Sequence, residues 1–229
     1  MFESAELVAA RGPSSMDFLI AWLPYAAVGA VVGILSGLLG IGGGIVTVPA
    51  LSAIFLRQGV LPDAVHHLAV GTSLATIVFT SLSSMRAHNQ RKAVSWKTVK
   101  RVTPGVLLGS AGGSWLAARL STSLLVHVFS AFLVLVSVQM LLDLRPKASR
   151  ALPGLLGLAS AGGAIGLLSA LIGVGGGSMT VPFLGWCNVE VRRAIGTSTA
   201  IGFPIAVAGS AGFIINGWGR SIGALTLGY

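Results

Sequence analysis

The chain has 229 residues, of which 54% are hydrophobic and only 9% charged, and its mean hydropathy is +0.87. An ordinary soluble domain carries about 25% charged residues, so this composition excludes a soluble protein and predicts an all-α integral membrane protein. The net charge is +9, but the basic residues gather in connections between apolar runs, which argues against nucleic acid as a partner. The single cysteine, Cys187, excludes an internal disulfide and a multi-cysteine metal site.

Three uncharged runs, residues 18–39, 152–189 and 194–219, each exceed the roughly 20 residues that cross a bilayer. The tail before the first run, residues 1–17, lacks the basic start and the small-residue cleavage site of a secretory signal. We therefore expect the first span to be retained. After it, the sequence predicts a short apolar stretch and then spans, at residues 45–56, 68–85, 102–118 and 124–142.

Five glycines crowd residues 37–44, between the first span and the short apolar stretch. A glycine weakens a helix by about 1 kcal/mol relative to alanine, so the cluster predicts a broken helix. The same motif occurs twice: residues 33–51 align with residues 166–184 at an offset of 133, and 12 of the 19 positions are identical. A second match, AVGTS at 69–73 against AIGTS at 194–198, follows at an offset of 125.

The repeat predicts two homologous multi-helix units, each with a glycine-broken helix. We divide the chain into an N-terminal tail (1–17), a first membrane repeat (18–145), a basic linker (146–151) and an incomplete second repeat (152–229). By the second offset Tyr229 corresponds to Pro104, so the counterparts of residues 105–142, which hold two spans, are absent. We expect the chain to be a fragment; function by association of chains is the alternative.

The orientation of the two repeats stays open at the level of sequence. If the stretch 45–56 only dips into the bilayer the repeats are parallel, and if it crosses they are inverted. Lys and Arg are held on the cytoplasmic side of membrane proteins, and both arrangements place the basic loop 86–101 in the cytoplasm. The parallel arrangement adds Arg11 and Arg220 to that side, the inverted one adds Arg192 and Arg193, and the counts are equal.

The two glycine breaks predict a binding site for an anion. Irregular backbone at membrane depth survives only where protein buries it or where it lines a cavity. Each break is followed by a helix start, capped by Thr47 or Thr180, with Pro49 or Pro182 in the first turn. The free N–H groups and the positive dipole end of each half-helix then face the interior, as in transporters with paired broken helices. The candidate substrate-binding residues are Gly42, Gly43, Gly44, Thr47, Thr72, Ser73, Gly175, Gly176, Gly177, Thr180, Thr197 and Ser198.

Packing is the competing explanation for some of these residues. Gly33 with Gly37, and Gly162 with Gly166, are four apart, which favours close helix contact. A serine or threonine within a span also bonds its own backbone carbonyls, so each hydroxyl is open between ligand and structure. The glycine cluster is not a nucleotide-binding P-loop, because a P-loop needs lysine after its last glycine and Gly44 is followed by isoleucine.

We expect no metal, no cofactor and no enzymatic activity. His66 and His67 are expected to be solvated or interfacial, because adjacent helix residues do not share a face, and His127 is weak support for proton transfer. No nucleophile and base constellation is present, and no acidic residue interrupts the apolar runs to make a cation site. The expected partners are a small anionic substrate and the lipid bilayer, with a homo-oligomer as an open option.

The glycine motif, followed by V-P-x-L and G-T-S, resembles the sulfite exporter TauE/SafE family of bacterial membrane transporters. Both copies match, at residues 37–51 with 71–73 and at residues 170–184 with 196–198. The resemblance covers residues 18–229 and implies movement of sulfur oxyanions such as sulfite or organosulfonates across the bacterial inner membrane, usually outward. Family members typically contain more spans than this chain. A facilitative anion channel and a truncated, non-transporting membrane partner are the alternatives to a secondary transporter.

Overall fold

The computed structural model of the chain describes residues 23, 25–34, 43–142 and 152–218, apart from the side chain of Met140. The N-terminal tail, the linker 146–151 and the residues after 218 lie outside that description. The described ranges are helical with short connections and contain no strand, so the all-α class is confirmed. The helices are α1 (Tyr25–Ile34), α2 (Gly44–Arg57), α3 (Pro62–Gln90), α4 (Trp96–Ala117), α5 (Thr122–Leu141), α6 (Leu155–Ile172), α7 (Gly177–Trp186) and α8 (Val191–Gly217).

Helix length separates the long apolar helices from two short ones. Among the described residues, α3, α5, α6 and α8 are long and apolar enough to cross a membrane. Helix α2 has 14 residues and α7 has 10, which at 1.5 Å per residue gives about 21 and 15 Å. Both are shorter than the ~30 Å hydrocarbon core. They follow the two glycine motifs, as expected of half-helices.

Helices α3 and α8, which carry the AVGTS and AIGTS segments, run antiparallel. A Cβ atom built on Gly202 would lie 3.9 Å from Ser81 Cβ, and one built on Gly209 would lie 2.9 Å from a methyl group of Leu74. The partner's number on α3 therefore falls as the number on α8 rises. The loop before α4 and the start of α8 share one end of the bundle, where the Arg192 side chain donates to the Arg91 carbonyl at 3.3 Å.

Helices α4 and α6 run parallel and in close contact. Gly105 faces Ala159, and Gly109 faces Gly163 one turn later. From the other side, a Cβ on Gly166 would lie 2.5 Å from the carbonyl oxygen of Val106. Gly162 approaches Val102 in the same way, so the packing role expected for Gly162 and Gly166 is confirmed.

Gly33, from the other glycine pair expected to pack, makes no close contact with a described residue. Within the part of the chain that the structure describes, no heavy atom lies within 4 Å of a Cβ built on Gly33. Gly37 lies outside the described residues.

The directions of α4, α6 and α8 resolve the orientation that the sequence left open. The backbone N–H of Ser95, just before α4, donates to Thr197 Oγ1 near the start of α8 at 3.0 Å, and Ser114 near the end of α4 meets Gly212. These helices are therefore parallel, and α6 is parallel to both. Because α6 and α8 point the same way, the segment 173–190 must carry the chain back between them, and α7 runs against both.

Helix α2 runs toward the other end of the bundle. The Tyr25 hydroxyl at the start of α1 donates to Gln58 Oε1 just beyond α2 at 2.8 Å, and α3 begins there at Pro62. Helix α2 thus leads to the end opposite Arg91, whereas α7 leads to the end that holds Arg91. The two glycine-motif segments are therefore inverted relative to each other, although α2 is too short to cross, because α1 begins and α2 ends at the same end of the bundle.

His66 and His67 are buried, so the expectation that they are solvated or interfacial is wrong. They are 5% and 4% exposed, because α3 begins earlier than the predicted span and the end of α4 and start of α5 cover its first turns. His67 Nε2 lies 3.1 Å from the Ala117 carbonyl oxygen. The His66 ring packs edge-on against Phe129 at 5.6 Å.

Cysteine labelling from the two membrane faces tests the inverted arrangement. In a Cys187→Ala background, we expect Lys97→Cys and Arg193→Cys to react with a membrane-impermeant maleimide from one face only. Arg57→Cys and Arg119→Cys are expected to react from the other face only. All four positions are exposed. Labelling of positions 193 and 57 from the same face would contradict the inversion.

Candidate functional site

The amino end of α2 meets the loop that joins α6 to α7 inside the bundle. A Cβ built on Gly44, the first residue of α2, would overlap the carbonyl oxygen of Gly173 and lie 2.8 Å from Val174 Cα. A Cβ on Gly173 would in turn lie 2.9 Å from Val48 Cγ2 and 3.2 Å from Val70 Cα. Only glycine permits this approach of backbone to backbone. The structure therefore brings the first and second glycine motifs together.

The loop between α6 and α7 explains why the second motif needs its glycines. Gly173 and Gly176 have φ of +76° and +72°, in the left-handed region that glycine adopts without the penalty of a side chain. The N–H groups of Gly173 and Val174 donate to the Ser169 carbonyl at 2.9 and 3.0 Å, which ends α6. Gly176 then caps α7, and its carbonyl oxygen accepts the Thr180 N–H at 2.8 Å.

This loop lies near the middle of the long helices. The carbonyl oxygen of Gly175 lies 2.7 Å from a Cβ built on Gly202 of α8, and a Cβ on Gly175 would lie 3.0 Å from Ile77 of α3. A Cβ on Gly176 would overlap Ile205 Cδ1. Ile77, Gly202 and Ile205 all fall near the midpoints of their helices. The start of α7 is therefore at mid-depth of the bundle.

Three of the six candidate hydroxyls donate to backbone carbonyls. Thr47 donates to the Gly43 carbonyl at 2.8 Å, and Ser198 donates to the Ile195 carbonyl at 2.8 Å. Ser73 donates to the Gly173 carbonyl at 2.8 Å and thereby links α3 to the second glycine motif. These three hydroxyl protons serve the structure in this conformation.

The remaining candidates are dispersed. Thr197 lies at the end of the bundle that holds Arg91, where it accepts the Ser95 N–H, so the structure does not bring it to the breaks. Thr72 is half-buried on α3. Gly43 caps α2, whereas Gly42 lies outside the described residues.

Two hydroxyls near the second break have no hydrogen-bond partner among the described residues: Ser169 Oγ and Thr180 Oγ1. Both side chains are buried, at 0% and 1% exposure. Thr180 belongs to the predicted site, but Ser169 was not selected. The available signal was the repeat itself, because Ser169 aligns with Ser36 immediately before each glycine cluster.

Charged side chains are absent from this mid-depth region in the described part of the chain. The described acidic residues are Asp63 and Glu190, at the starts of α3 and α8, and the described basic residues lie toward the helix ends. Within the same residues, no three His, Cys, Asp or Glu side chains are grouped so that they could hold a metal ion. The region holds the amino ends of α2 and α7, each equivalent to roughly half a positive charge, and the carboxyl end of α6, which carries the opposite partial charge.

The sequence signature of the sulfite exporter TauE/SafE family matches residues 25–228, nearly the whole chain. The chain belongs to the sulfite exporter TauE/SafE family. No solved structure matches it. It is a multi-pass membrane protein of a transporter family.

Relatives of this TauE/SafE chain carry transporter names. A "Probable membrane transporter protein" of Haemophilus influenzae is 33% identical over 197 residues, covering 85% of this chain and 74% of the relative. A Bacillus subtilis relative, "Probable membrane transporter protein YunE", is 30% identical and the match covers 87% of this chain and 80% of the relative. A Methanocaldococcus jannaschii relative with a similar name is 32% identical, with coverage of 81% and 69%.

Proposed function

We propose that this chain carries a small anion across the membrane through a single site between its two half-helices. The observation that supports this most is the contact between Gly44 and the Gly173–Val174 backbone, which places the amino end of α2 against the mid-depth loop from which α7 begins. Two positive dipole ends in a region of low dielectric favour a negative charge. The site would comprise Gly42, Gly43 and Gly44 from one motif and Gly175, Gly176, Gly177 and Thr180 from the other.

The proposed substrate class is sulfite or an organosulfonate. That the substrate contains sulfur is inferred from the family alone. The preference for an anion is inferred from the helix amino ends and from the absence of carboxylates at mid-depth in the described residues. Binding by dipoles and hydroxyls, without a guanidinium or ammonium group, is weak enough for release, which transport requires. Export is the proposed direction.

The proposed location is the bacterial inner membrane, with the basic loop 86–101 in the cytoplasm. In the inverted arrangement, Arg192 and Arg193 share the end of the bundle that holds this loop. The resulting cluster of basic residues at one end is typical of a cytoplasmic face. A homo-oligomer is the alternative to a monomeric carrier.

Counterflow in proteoliposomes tests the proposal. Vesicles that hold the 229-residue chain and unlabelled sulfite are diluted into labelled sulfite, and uptake is measured against sulfoacetate, sulfate and chloride as competitors. We expect transient, saturable accumulation that sulfoacetate reduces. Uptake that rises linearly with concentration and shows no counterflow would favour an anion channel. Absence of uptake by folded protein would contradict transport by this chain.

A further inference from the structure

The hydroxyls of Ser169 and Thr180 converge on one point beside the second glycine break. A Cβ built on Gly176 would have three nearest neighbours: Ile205 Cδ1, Ser169 Oγ at 3.7 Å and Thr180 Oγ1 at 3.7 Å. Ser169 comes from the last turn of α6 and Thr180 from the first turns of α7. The two oxygens therefore approach the same small region from the two sides of the break.

Among the described residues, one other buried hydroxyl, that of Ser52 on α2, also lacks a hydrogen-bond partner. Buried polar groups in proteins are nearly always hydrogen-bonded, and a buried donor left without an acceptor carries its full desolvation cost. Other hydroxyls of the chain donate to a carbonyl three or four residues back, for example Thr103 to Val99 at 2.7 Å and Ser210 to Ala206 at 2.7 Å. Thr47 does the same at the equivalent position of the first motif. Within the described residues, Ser169 and Thr180 make no such bond.

The surroundings indicate which ligand would supply the acceptors. The region lies at the amino end of the ten-residue helix α7, where the helix dipole favours negative charge. Ile205 provides an apolar wall. An oxyanion offers a separate acceptor oxygen to each of the two O–H donors, whereas a halide would have to accept both hydrogen bonds at one atom.

We propose that Ser169 and Thr180 donate hydrogen bonds to two oxygens of the transported anion and select oxyanions over halides. This rests on the proposed function and assigns the specificity of its site. In the empty protein the two hydroxyls are unsatisfied, and the bound oxyanion satisfies both. A structural hydroxyl behaves in the opposite way, because its removal weakens the fold and leaves ligand binding unchanged.

Substitutions that remove each hydroxyl separate these roles. The variants are Ser169→Ala, Thr180→Val and the double change. Their matched controls are Ser110→Ala, whose hydroxyl donates to the Gly166 carbonyl at 3.3 Å, and Thr103→Val on α4. Thr180→Ser keeps the hydroxyl and tests rescue. For each protein, Tm is measured without anion and with sulfite, sulfoacetate or chloride, and KM is measured by counterflow.

We expect Ser169→Ala and Thr180→Val each to raise the KM for sulfite about tenfold, the cost of one hydrogen bond to an anion. The Tm of the empty variants should equal or exceed that of the wild type, and the rise in Tm with sulfite should fall while any response to chloride persists. The controls should show a lower Tm and an unchanged KM, and Thr180→Ser should restore the wild-type KM.

An unchanged KM and an unchanged preference for sulfite over chloride in the double variant would overturn the assignment. An ordered water would then be the hydrogen-bond partner of the two hydroxyls. If the wild type shows no counterflow, the Tm measurements still test whether the anion binds at Ser169 and Thr180. A sulfite-dependent rise in Tm that the double variant loses would support the binding site although the transport proposal fails. No rise with any anion would overturn both.

Discussion

Gly44→Ala is expected to abolish saturable anion flux and to destabilise the protein. The added Cβ would overlap the Gly173 carbonyl oxygen and lie 2.8 Å from Val174 Cα. These are backbone atoms that cannot rotate away, so the start of α2 and the loop between α6 and α7 must separate. Overpacking costs about 1–3 kcal/mol and occasionally more, and we expect the upper end here. Unfolding in detergent micelles and counterflow measure the two effects.

Gly185→Ala provides the matched control for this prediction. Gly185 lies in the other half-helix, α7, and no heavy atom of the described residues lies within 4 Å of its Cβ position. Alanine is the better helix former by about 1 kcal/mol, so this variant should keep its flux and gain slightly in stability. A Gly44→Ala protein with wild-type stability and flux would show that the start of α2 does not contact the α6–α7 loop as described.

Gly109→Ala is expected to cause the second large loss, through the contact between α4 and α6. The new Cβ would overlap the Gly163 carbonyl oxygen and lie 2.8 Å from its carbonyl carbon. Gly105 and Gly113 make similar approaches one turn away on either side, so moving the helices apart weakens the whole seam. In lipid, such close packing of small residues replaces the hydrophobic effect as the source of helix association. We expect a loss of about 3 kcal/mol, the upper end for overpacking.

Gly112→Ala is the matched control for Gly109→Ala, because it makes the same substitution on the same helix three residues away. No described heavy atom lies within 4 Å of the Gly112 Cβ position, so this variant should unfold like the wild type or slightly later. Thermal unfolding of the two variants side by side makes the comparison. Equal stability of Gly109→Ala and Gly112→Ala would contradict the α4 and α6 seam.

The sequence was sufficient to predict the membrane class and the short helices after each glycine cluster. Both predictions depend on local chemistry: uncharged runs of sufficient length, and glycines that a continuous helix does not tolerate. The contacts of Gly162 and Gly166 with α4 followed from their spacing in the same way. The seam partners Gly105, Gly109 and Gly113 share that spacing but were not recognised.

The orientation of the repeats and the partners of individual hydroxyls were not accessible from the sequence. A glycine cluster shows that a helix ends but not which way the chain leaves, and the basic residues balanced between the two arrangements. Thr47 and Thr180 occupy the same T-V-P context, yet only Thr47 donates to the carbonyl four residues back. The burial of His66 and His67 likewise depends on α4 and α5, which are distant in sequence.

Equilibrium binding of labelled sulfite to the purified chain in detergent tests the central claim most directly, because the two motifs are proposed to form one site. We expect saturable binding of one anion per chain, competed by sulfoacetate, retained by Gly185→Ala and lost by Gly44→Ala. Two equivalent sites per chain, or binding that Gly44→Ala leaves intact, would contradict a single site shared by the two half-helices.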